Sequence, residues 1–139
     1  DVVKSKPDVL NHNIESCRRI FPSVRPKGNY RKSIDLLKKV KQISPTMATK
    51  SGIIVGMGED KQEIFDTMAD LREVDCDLLT IGQYLRPSNK HLPVHRFYTP
   101  TEFEELQQYG NSLGFKHVAS GPLVRSSYHA DQQLAATQL

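Results

Sequence analysis

Cysteine is scarce in this sequence: only Cys17 and Cys76 occur among 139 residues, far apart and outside any C-x-x-C spacing. Two such thiols give no sign of a disulfide framework and favour a reducing compartment. They also cannot hold an iron–sulfur cluster, which usually takes about four thiolate ligands, or three and one other. Because Cys76 stands among Val74, Leu78 and Leu79, we expect it to be a small buried apolar residue.

Long hydrophobic runs are also missing, since none approaches the roughly 20 residues that cross a bilayer. Residues 1–7 contain no signal-peptide pattern, so we expect no membrane association. The net charge of +3 is too small to indicate nucleic-acid binding, although it would suit an acidic protein partner. No histidine has the spacing of a zinc ligand. We interpret the densest basic group as a solvated helix face. That basic group is Lys38, Lys39 and Lys41.

Short apolar segments alternate with amphipathic ones along the chain. Strands are predicted at residues 9–14, 52–55, 78–81 and 115–119. Ser33 could cap a first helix whose buried stripe holds Ile34, Leu37, Val40 and Ile43, broadened by Leu36. Asp60 with Glu63, and Thr99 with Glu102, have the capping-box pattern that begins two further helices, the second ending at Gly114.

This order predicts an α/β fold of parallel β/α units with right-handed crossovers. Three or four units cannot close an eight-stranded barrel, which takes about 250 residues, so the sheet should be open. An open parallel sheet has a bare edge, which suggests further units before the chain begins. We expect one domain over residues 1–131 and a flexible tail over 132–139.

The unusual polar segments all follow predicted strands, where ligands gather in β/α folds. Gly56-x-Gly58 is not a dinucleotide fingerprint, because Lys61 occupies the position of the third small residue, and no phosphate-loop lysine pattern follows. Gly52-x-Ile54-x-Gly56-x-x-Glu59 could instead let the backbone approach a flat ligand, with Ile54 as an apolar contact and Glu59 as an acceptor. The alternative is an ordinary strand-to-helix turn.

Two other polar segments leave alternatives open. Asn11-His12-Asn13 could simply cap a strand end, or His12 could act as a base or metal ligand. Near the end of the chain, Ser126 and Ser127 could cap a helical tail, or one hydroxyl could face a buried electrophile or metal. A serine oxygen on iron would be a less natural partner than a thiolate and therefore more easily displaced.

Taken together and in order, seven segments of this chain resemble the lipoyl synthase family. The resemblance runs from about residue 8 to residue 131, and although each segment is weak alone, the ordered set is specific. The segments are Asn11-His12-Asn13-Ile14-Glu15, Val24-Arg25-Pro26, Tyr30-Arg31-x-Ser33, Thr49-Lys50-Ser51-Gly52, Gly56-Met57-Gly58-Glu59, Leu79-Thr80-Ile81-Gly82-Gln83-Tyr84-Leu85-x-Pro87-Ser88, and residues 115–128.

The resemblance implies the carboxyl-terminal part of a partial, open barrel of the radical S-adenosylmethionine class. In that family, one four-iron four-sulfur cluster reduces S-adenosylmethionine, and the resulting 5′-deoxyadenosyl radical removes hydrogens from an octanoyl chain on a carrier-protein lysine. An auxiliary cluster is consumed to supply two sulfurs, at C6 and C8. The implied carrier is the glycine cleavage H protein or the lipoyl domain of a 2-oxoacid dehydrogenase, and the implied electron donor is ferredoxin or flavodoxin. The implied location is the cytoplasm in bacteria, and the mitochondrial matrix or plastid in eukaryotes.

The resemblance also assigns residues. Gly52, Ile54, Gly56 and Glu59 would line the S-adenosylmethionine pocket. Four others would help to hold that cofactor or the octanoyl-lysine strand: Asn11, Asn13, Arg31 and Ser33.

The auxiliary cluster would take one serine ligand from this chain, Ser127, with Ser126 as the neighbouring possibility. Both cysteine triplets of the family are missing from this sequence, so we expect the chain alone to be inactive. Two alternatives remain: a truncated, non-catalytic form that binds the carrier or S-adenosylmethionine, and an unrelated β/α enzyme such as a phosphate-binding barrel.

Overall fold

A computed structural model describes residues 9–124 of the chain as one parallel four-stranded sheet with helices between the strands. The strands are β1 (Val9–Asn11), β2 (Ala48–Val55), β3 (Leu78–Gln83) and β4 (His117–Ser120), paired in the order β1-β2-β3-β4. The helices are α1 (Phe21–Val24), α2 (Tyr30–Ile43), α3 (Lys61–Glu73) and α4 (Pro100–Leu113). The predicted α/β class and parallel sheet are confirmed. Within this part of the chain, no helix is long and apolar enough to cross a membrane.

The three long helices share one hydrophobic core with a single face of the sheet. Ile34 of α2, Met68 of α3 and Leu106 of α4 are fully buried in the same cluster as Ile53 and Ile81 of the central strands. A doubly wound sheet would have helices on both faces, whereas a barrel has them only outside. With its helices on one face, the described part has the arrangement of a segment of a β/α barrel.

Helix α2 differs from its sequence prediction. Asn29, not Ser33, is the cap, since its side chain accepts a 3.0 Å hydrogen bond from the Lys32 amide. The buried stripe consequently includes Tyr30, while Leu36 and Ile43 are exposed by 43% and 59%. Leu36 and Ile43 therefore lie outside the buried stripe of α2.

Both predicted capping boxes are confirmed. Asp60 accepts from the Glu63 amide and Thr99 from the Glu102 amide, and in each case the glutamate carboxylate accepts a bond from the backbone amide of the cap residue. Gly114 ends α4 in the left-handed conformation with φ of 100°. Such reciprocal caps satisfy amides that a helix N-terminus otherwise leaves without partners.

Strand limits and one charge assignment were wrong. Strand β2 begins at Ala48 and β4 begins at His117. Phe115 lies before β4, outside the ladder, and the Arg72 guanidinium lies over its ring, 5.5 Å from the ring centre. Lys41 is not part of a solvated face. Its ammonium lies 2.6 Å from the carboxylate of Asp77, a buried residue at the amino end of the sheet.

Strand β1 was predicted to continue to residue 14, but its ladder is interrupted by one extra residue. The His12 amide bonds to the Lys50 carbonyl, and the next bond in the ladder joins the Glu15 amide to the Gly52 carbonyl. Three residues on this side therefore oppose two on β2, which is the count of a β-bulge. Glu15 completes the bulge with a positive φ of 71° and bridges Ile53.

Candidate functional site

The sheet face that carries no helix presents small and polar side chains near the carboxyl ends of the strands. Gly52 of β2 pairs in register with Thr80 of β3, which pairs with Ala119 of β4. A Cβ on Gly52 would lie 2.8 Å from both Asn13 Oδ1 and Thr80 Oγ1. Only glycine therefore lets these polar atoms reach the backbone of β2.

The bulge after β1 brings two polar side chains to the same place. Asn13 and Glu15 line a small cavity of about 50 Å³ with Gly52, Ile54 and Thr80. Asn13, Gly52 and Ile54 were selected from the sequence, whereas Glu15 and Thr80 were not. The signal for Glu15 was its place in a polar segment that follows a strand.

A wider opening of about 410 Å³ adjoins this cavity and shares Asn13 and Glu15 with it. Asn11, His12 and Arg25 complete its polar lining. Amide, carboxylate and guanidinium groups thus converge at the carboxyl end of β1. Such a set suits a ligand that carries both positive and negative charges together with hydroxyl groups.

His12 connects this opening to a third cavity of about 580 Å³, which Arg25 and Ser33 also line. Its Nε2 atom is buried and has no hydrogen-bond partner among residues 9–124. Burial, and secondarily the Arg25 charge, lower the pKa of His12, because both disfavour the imidazolium. We therefore expect a neutral ring that can donate or accept one further hydrogen bond.

The predicted acceptor Glu59 is occupied within the chain. Its carboxylate accepts hydrogen bonds from the Gly56 and Met57 amides, both at 3.0 Å, and from the Tyr98 hydroxyl at 2.7 Å. Gly56 has a φ of 101°, and a Cβ there would overlap the Gln83 side chain and the Arg96 carbonyl. In this arrangement, Glu59 and Gly56 shape the turn after β2.

Segment 84–98 lies across that turn. The Gln83 side chain donates to the Arg96 carbonyl at 3.0 Å and accepts from the Tyr98 amide at 2.9 Å. The His95 amide donates to the Gly56 carbonyl at 2.7 Å. A second apolar cluster joins the segment to β2 and to the loop after β1. Its members are Cys17, Ile20, Ile54, Met57 and Tyr84, with Val24, Leu92 and Val94 packed against them.

Some predicted residues lie apart from these cavities. Arg31 is exposed and pairs with Asp35 at 3.3 Å on the outside of α2. Cys17 and Cys76 are both buried, and burial raises the pKa of each thiol, that of Cys76 to about 12. No cluster of three or more metal-ligating side chains occurs in the part of the chain from residue 9 to 124. Ser126 and Ser127 lie outside the described residues.

Comparison with known proteins shows what the chain is similar to. The chain is 58% identical over 134 residues to the lipoyl synthase of Caldanaerobacter subterraneus subsp. tengcongensis, covering 96% of this chain and 47% of that protein. It is 56% identical over 136 residues to the lipoyl synthase of Idiomarina loihiensis, covering 97% of this chain and 42% of the relative. The chain is a relative of the lipoyl synthases.

A third lipoyl synthase, from Staphylococcus haemolyticus, is 52% identical over 133 residues, which cover 96% of this chain and 44% of that relative. No protein-family model matches the chain. The chain spans less than half the length of the lipoyl synthases it matches, and it corresponds to their carboxyl-terminal region.

Proposed function

We propose that this chain is the cofactor-binding and substrate-facing part of a lipoyl synthase, which inserts sulfur at C6 and C8 of a protein-bound octanoyl-lysine. The observation that carries the proposal is the 52–58% identity to lipoyl synthases over almost the whole chain. Each insertion replaces one C–H bond by a C–S bond. The truncated, non-catalytic form is the alternative outcome of the test below.

The cavities at the strand ends fit S-adenosylmethionine by the chemistry of their donors and acceptors. Asn13 and Glu15 could bond the ribose hydroxyls, while Ile54 gives an apolar contact for the base and Arg25 a partner for the carboxylate. Asn11 and Ser33 line the adjoining walls, and Gly52 leaves room at the strand. When bound, this cofactor would supply the hydrogen-abstracting chemistry.

Glu59 would act indirectly in this proposal. By holding the Gly56 and Met57 amides, its carboxylate fixes the turn beside Ile54 and the cofactor position. Arg31 faces away on α2, so its contribution would be confined to the helix surface, where it pairs with Asp35.

The iron clusters do not fit the side chains between residues 9 and 124. Both cysteines there are buried, and burial disfavours the thiolate that iron binds. We propose that the cluster cysteines come from a longer protein of which this chain is part, and that Ser127 supplies one oxygen ligand to the auxiliary cluster. We further propose that the substrate arrives on the H protein or a lipoyl domain, with ferredoxin or flavodoxin as the electron donor.

The test is turnover by a full-length protein containing this chain, with iron and sulfide reconstituted. Incubation with S-adenosylmethionine, a reductant and an octanoyl-lysine peptide should yield lipoyl-lysine by mass spectrometry, with 5′-deoxyadenosine as a co-product. Ser127→Ala should abolish sulfur insertion while cofactor cleavage persists, and Ser126→Ala is the matched control. If cofactor binding occurs without any product, the non-catalytic alternative is supported.

A further inference from the structure

Basic residues are concentrated in two segments at one end of the sheet. Residues 16–29 follow β1 and residues 84–98 follow β3, so both lie at the carboxyl ends of strands. Together these 29 positions hold seven Lys or Arg residues and no Asp or Glu. The other 110 positions hold twelve basic and sixteen acidic residues, so the mild net charge of +3 conceals a strong segregation.

The two segments form one continuous surface. Ile20 and Val24 of the first segment pack with Tyr84, Leu92 and Val94 of the second in one apolar cluster. We call residues 16–29 and 84–98 together the basic rim. Because parallel strands bring their carboxyl ends to one edge, the rim borders the cavities lined by Asn13 and Arg25.

Most of the rim's charge is uncompensated within the described structure. Only two of its seven cations have a carboxylate partner among residues 9–124: Arg19 pairs with Glu63 at 2.9 Å and Arg96 with Glu102 at 2.7 Å. Arg86 donates to the carbonyls of His91 and Asn89, which leaves its charge unneutralised. The cations for which the described residues supply no carboxylate partner are Arg18, Arg25, Lys27, Arg86 and Lys90.

Exposed apolar side chains accompany this charge. Phe97 is 65% exposed and Leu85 is 47% exposed, both within segment 84–98. Cationic groups around exposed aromatic and aliphatic side chains are typical of a protein-binding surface, where charge guides the encounter and apolar contacts hold it.

We propose that the basic rim is the docking surface for an acidic protein domain that presents the acylated lysine to the cavities beside it. The inference rests on the proposed function, because a protein-bound substrate must deliver its side chain from the side where the strands end. An acidic surface around the acylated lysine would complement the five uncompensated cations. The rim would then determine affinity for the protein substrate, and the cavities would determine the chemistry.

The test compares a protein substrate with a peptide substrate in the full-length protein. Arg18→Glu combined with Lys90→Glu should raise KM for an octanoylated acidic carrier domain about tenfold. KM and kcat for a short octanoyl-lysine peptide should change less than about twofold, because neither Arg18 nor Lys90 lines the cavities proposed for the cofactor. The matched control is Lys38→Glu with Lys39→Glu on the outer face of α2, which makes the same charge change away from the rim.

Two further measurements distinguish a loss of the fold from a loss of function. The glutamine pair, Arg18→Gln with Lys90→Gln, should have an intermediate effect on KM for the carrier domain, and unfolding curves report any loss of the fold. Binding of the carrier domain, followed by fluorescence anisotropy without turnover, should weaken with added salt in the parent protein and less steeply in the glutamate pair.

An unchanged KM and affinity for the carrier in the glutamate pair would overturn the rim proposal, as would an equal loss in the α2 control or with the peptide. Rim-dependent binding of RNA or anionic vesicles, without binding of the carrier, would also overturn it. If the parent protein binds the carrier through the rim but converts neither substrate, the proposed function fails while the docking surface stands.

Discussion

The Tyr98 hydroxyl donates a 2.7 Å hydrogen bond to the Glu59 carboxylate in the protein interior. Burial, and secondarily this bond, raise the pKa of Tyr98, because the phenolate would be desolvated beside a carboxylate. The bond joins the end of segment 84–98 to the turn after β2, so the loop that crosses the strand ends is fixed to the turn beneath it.

Tyr98→Phe should lower the free energy of unfolding by about 1.5–3 kcal/mol, because it removes a hydrogen bond to a charged group and leaves Glu59 with one partner fewer. Chemical denaturation of the protein measures the change. Tyr84→Phe is the matched control, since the Tyr84 hydroxyl donates to the uncharged Leu92 carbonyl at 2.6 Å. We expect about 1 kcal/mol there. An equal loss in both variants would show that the bond to the Glu59 carboxylate stabilises the fold no more than a bond to an uncharged carbonyl.

Gly52→Ala should raise the Kd for S-adenosylmethionine at least about tenfold, because the added methyl group must displace Asn13 and Thr80. Equilibrium dialysis with the full-length protein measures it. Gly121→Ala is the control, since a Cβ there makes an ordinary 3.4 Å contact with Val124. Unchanged binding in Gly52→Ala would place the cofactor away from this cavity.

Asp77→Asn should destabilise the protein by about 3–5 kcal/mol, the usual effect of removing one partner from a buried ion pair. The Lys41 ammonium would lose its charged partner and keep the bond to the Met47 carbonyl, and the bond from the Thr49 amide would weaken. Urea denaturation reports the loss. Asp35→Asn, which breaks the exposed pair with Arg31, should cost less than about 0.5 kcal/mol. Similar effects of the two substitutions would show that the Asp77 pair is not buried in solution.

Stability should fall as the pH drops from about 5 towards 2. The Arg96 guanidinium, and secondarily the Thr99 amide, lower the pKa of Glu102 from 4.5 to about 2. A carboxyl whose pKa is lower in the folded state stabilises the fold above its unfolded pKa, and that contribution is lost as it protonates. Glu102→Gln should therefore flatten thermal stability against pH in this window.

Glu104→Gln provides the control for that measurement, because among residues 9–124 the Glu104 carboxylate accepts only a 3.5 Å bond from Gln108. The Glu102 pair lies at the surface, so its effect should be modest and should shrink with salt. A pH profile that is the same for both variants would exclude the Arg96–Glu102 pair as its source.

Local signals in the sequence were sufficient for much of the fold. The boxes at Asp60 and Thr99 and the stop at Gly114 could be identified because caps depend on residues within one turn. The predicted start of α2 was wrong because Asn29 and Ser33 are both favourable N-cap residues. What decided between them was the burial of Tyr30, a tertiary effect.

The candidate site was only partly accessible from the sequence. Gly52, Ile54 and Asn13 were chosen from motifs, and the structure brings them together. Glu15 was missed because its position depends on the extra residue in the β1 ladder, which shows only when the pairing register is known. The internal use of Glu59 was also hidden, since its partner Tyr98 is 39 positions away.

The bulge between His12 and Glu15 has a consequence for insertions and deletions. Shortening this turn by one residue would restore regular pairing with β2 and could leave Asn11, Asn13 and Glu15 all present. The side chains between Asn11 and Glu15 would nevertheless meet different neighbours, because without the extra residue they would alternate regularly between the two faces of the sheet, while Glu15 stayed opposite Ile53. The number of residues in this turn is thus as much a determinant of ligand recognition as the chemical character of any one of them.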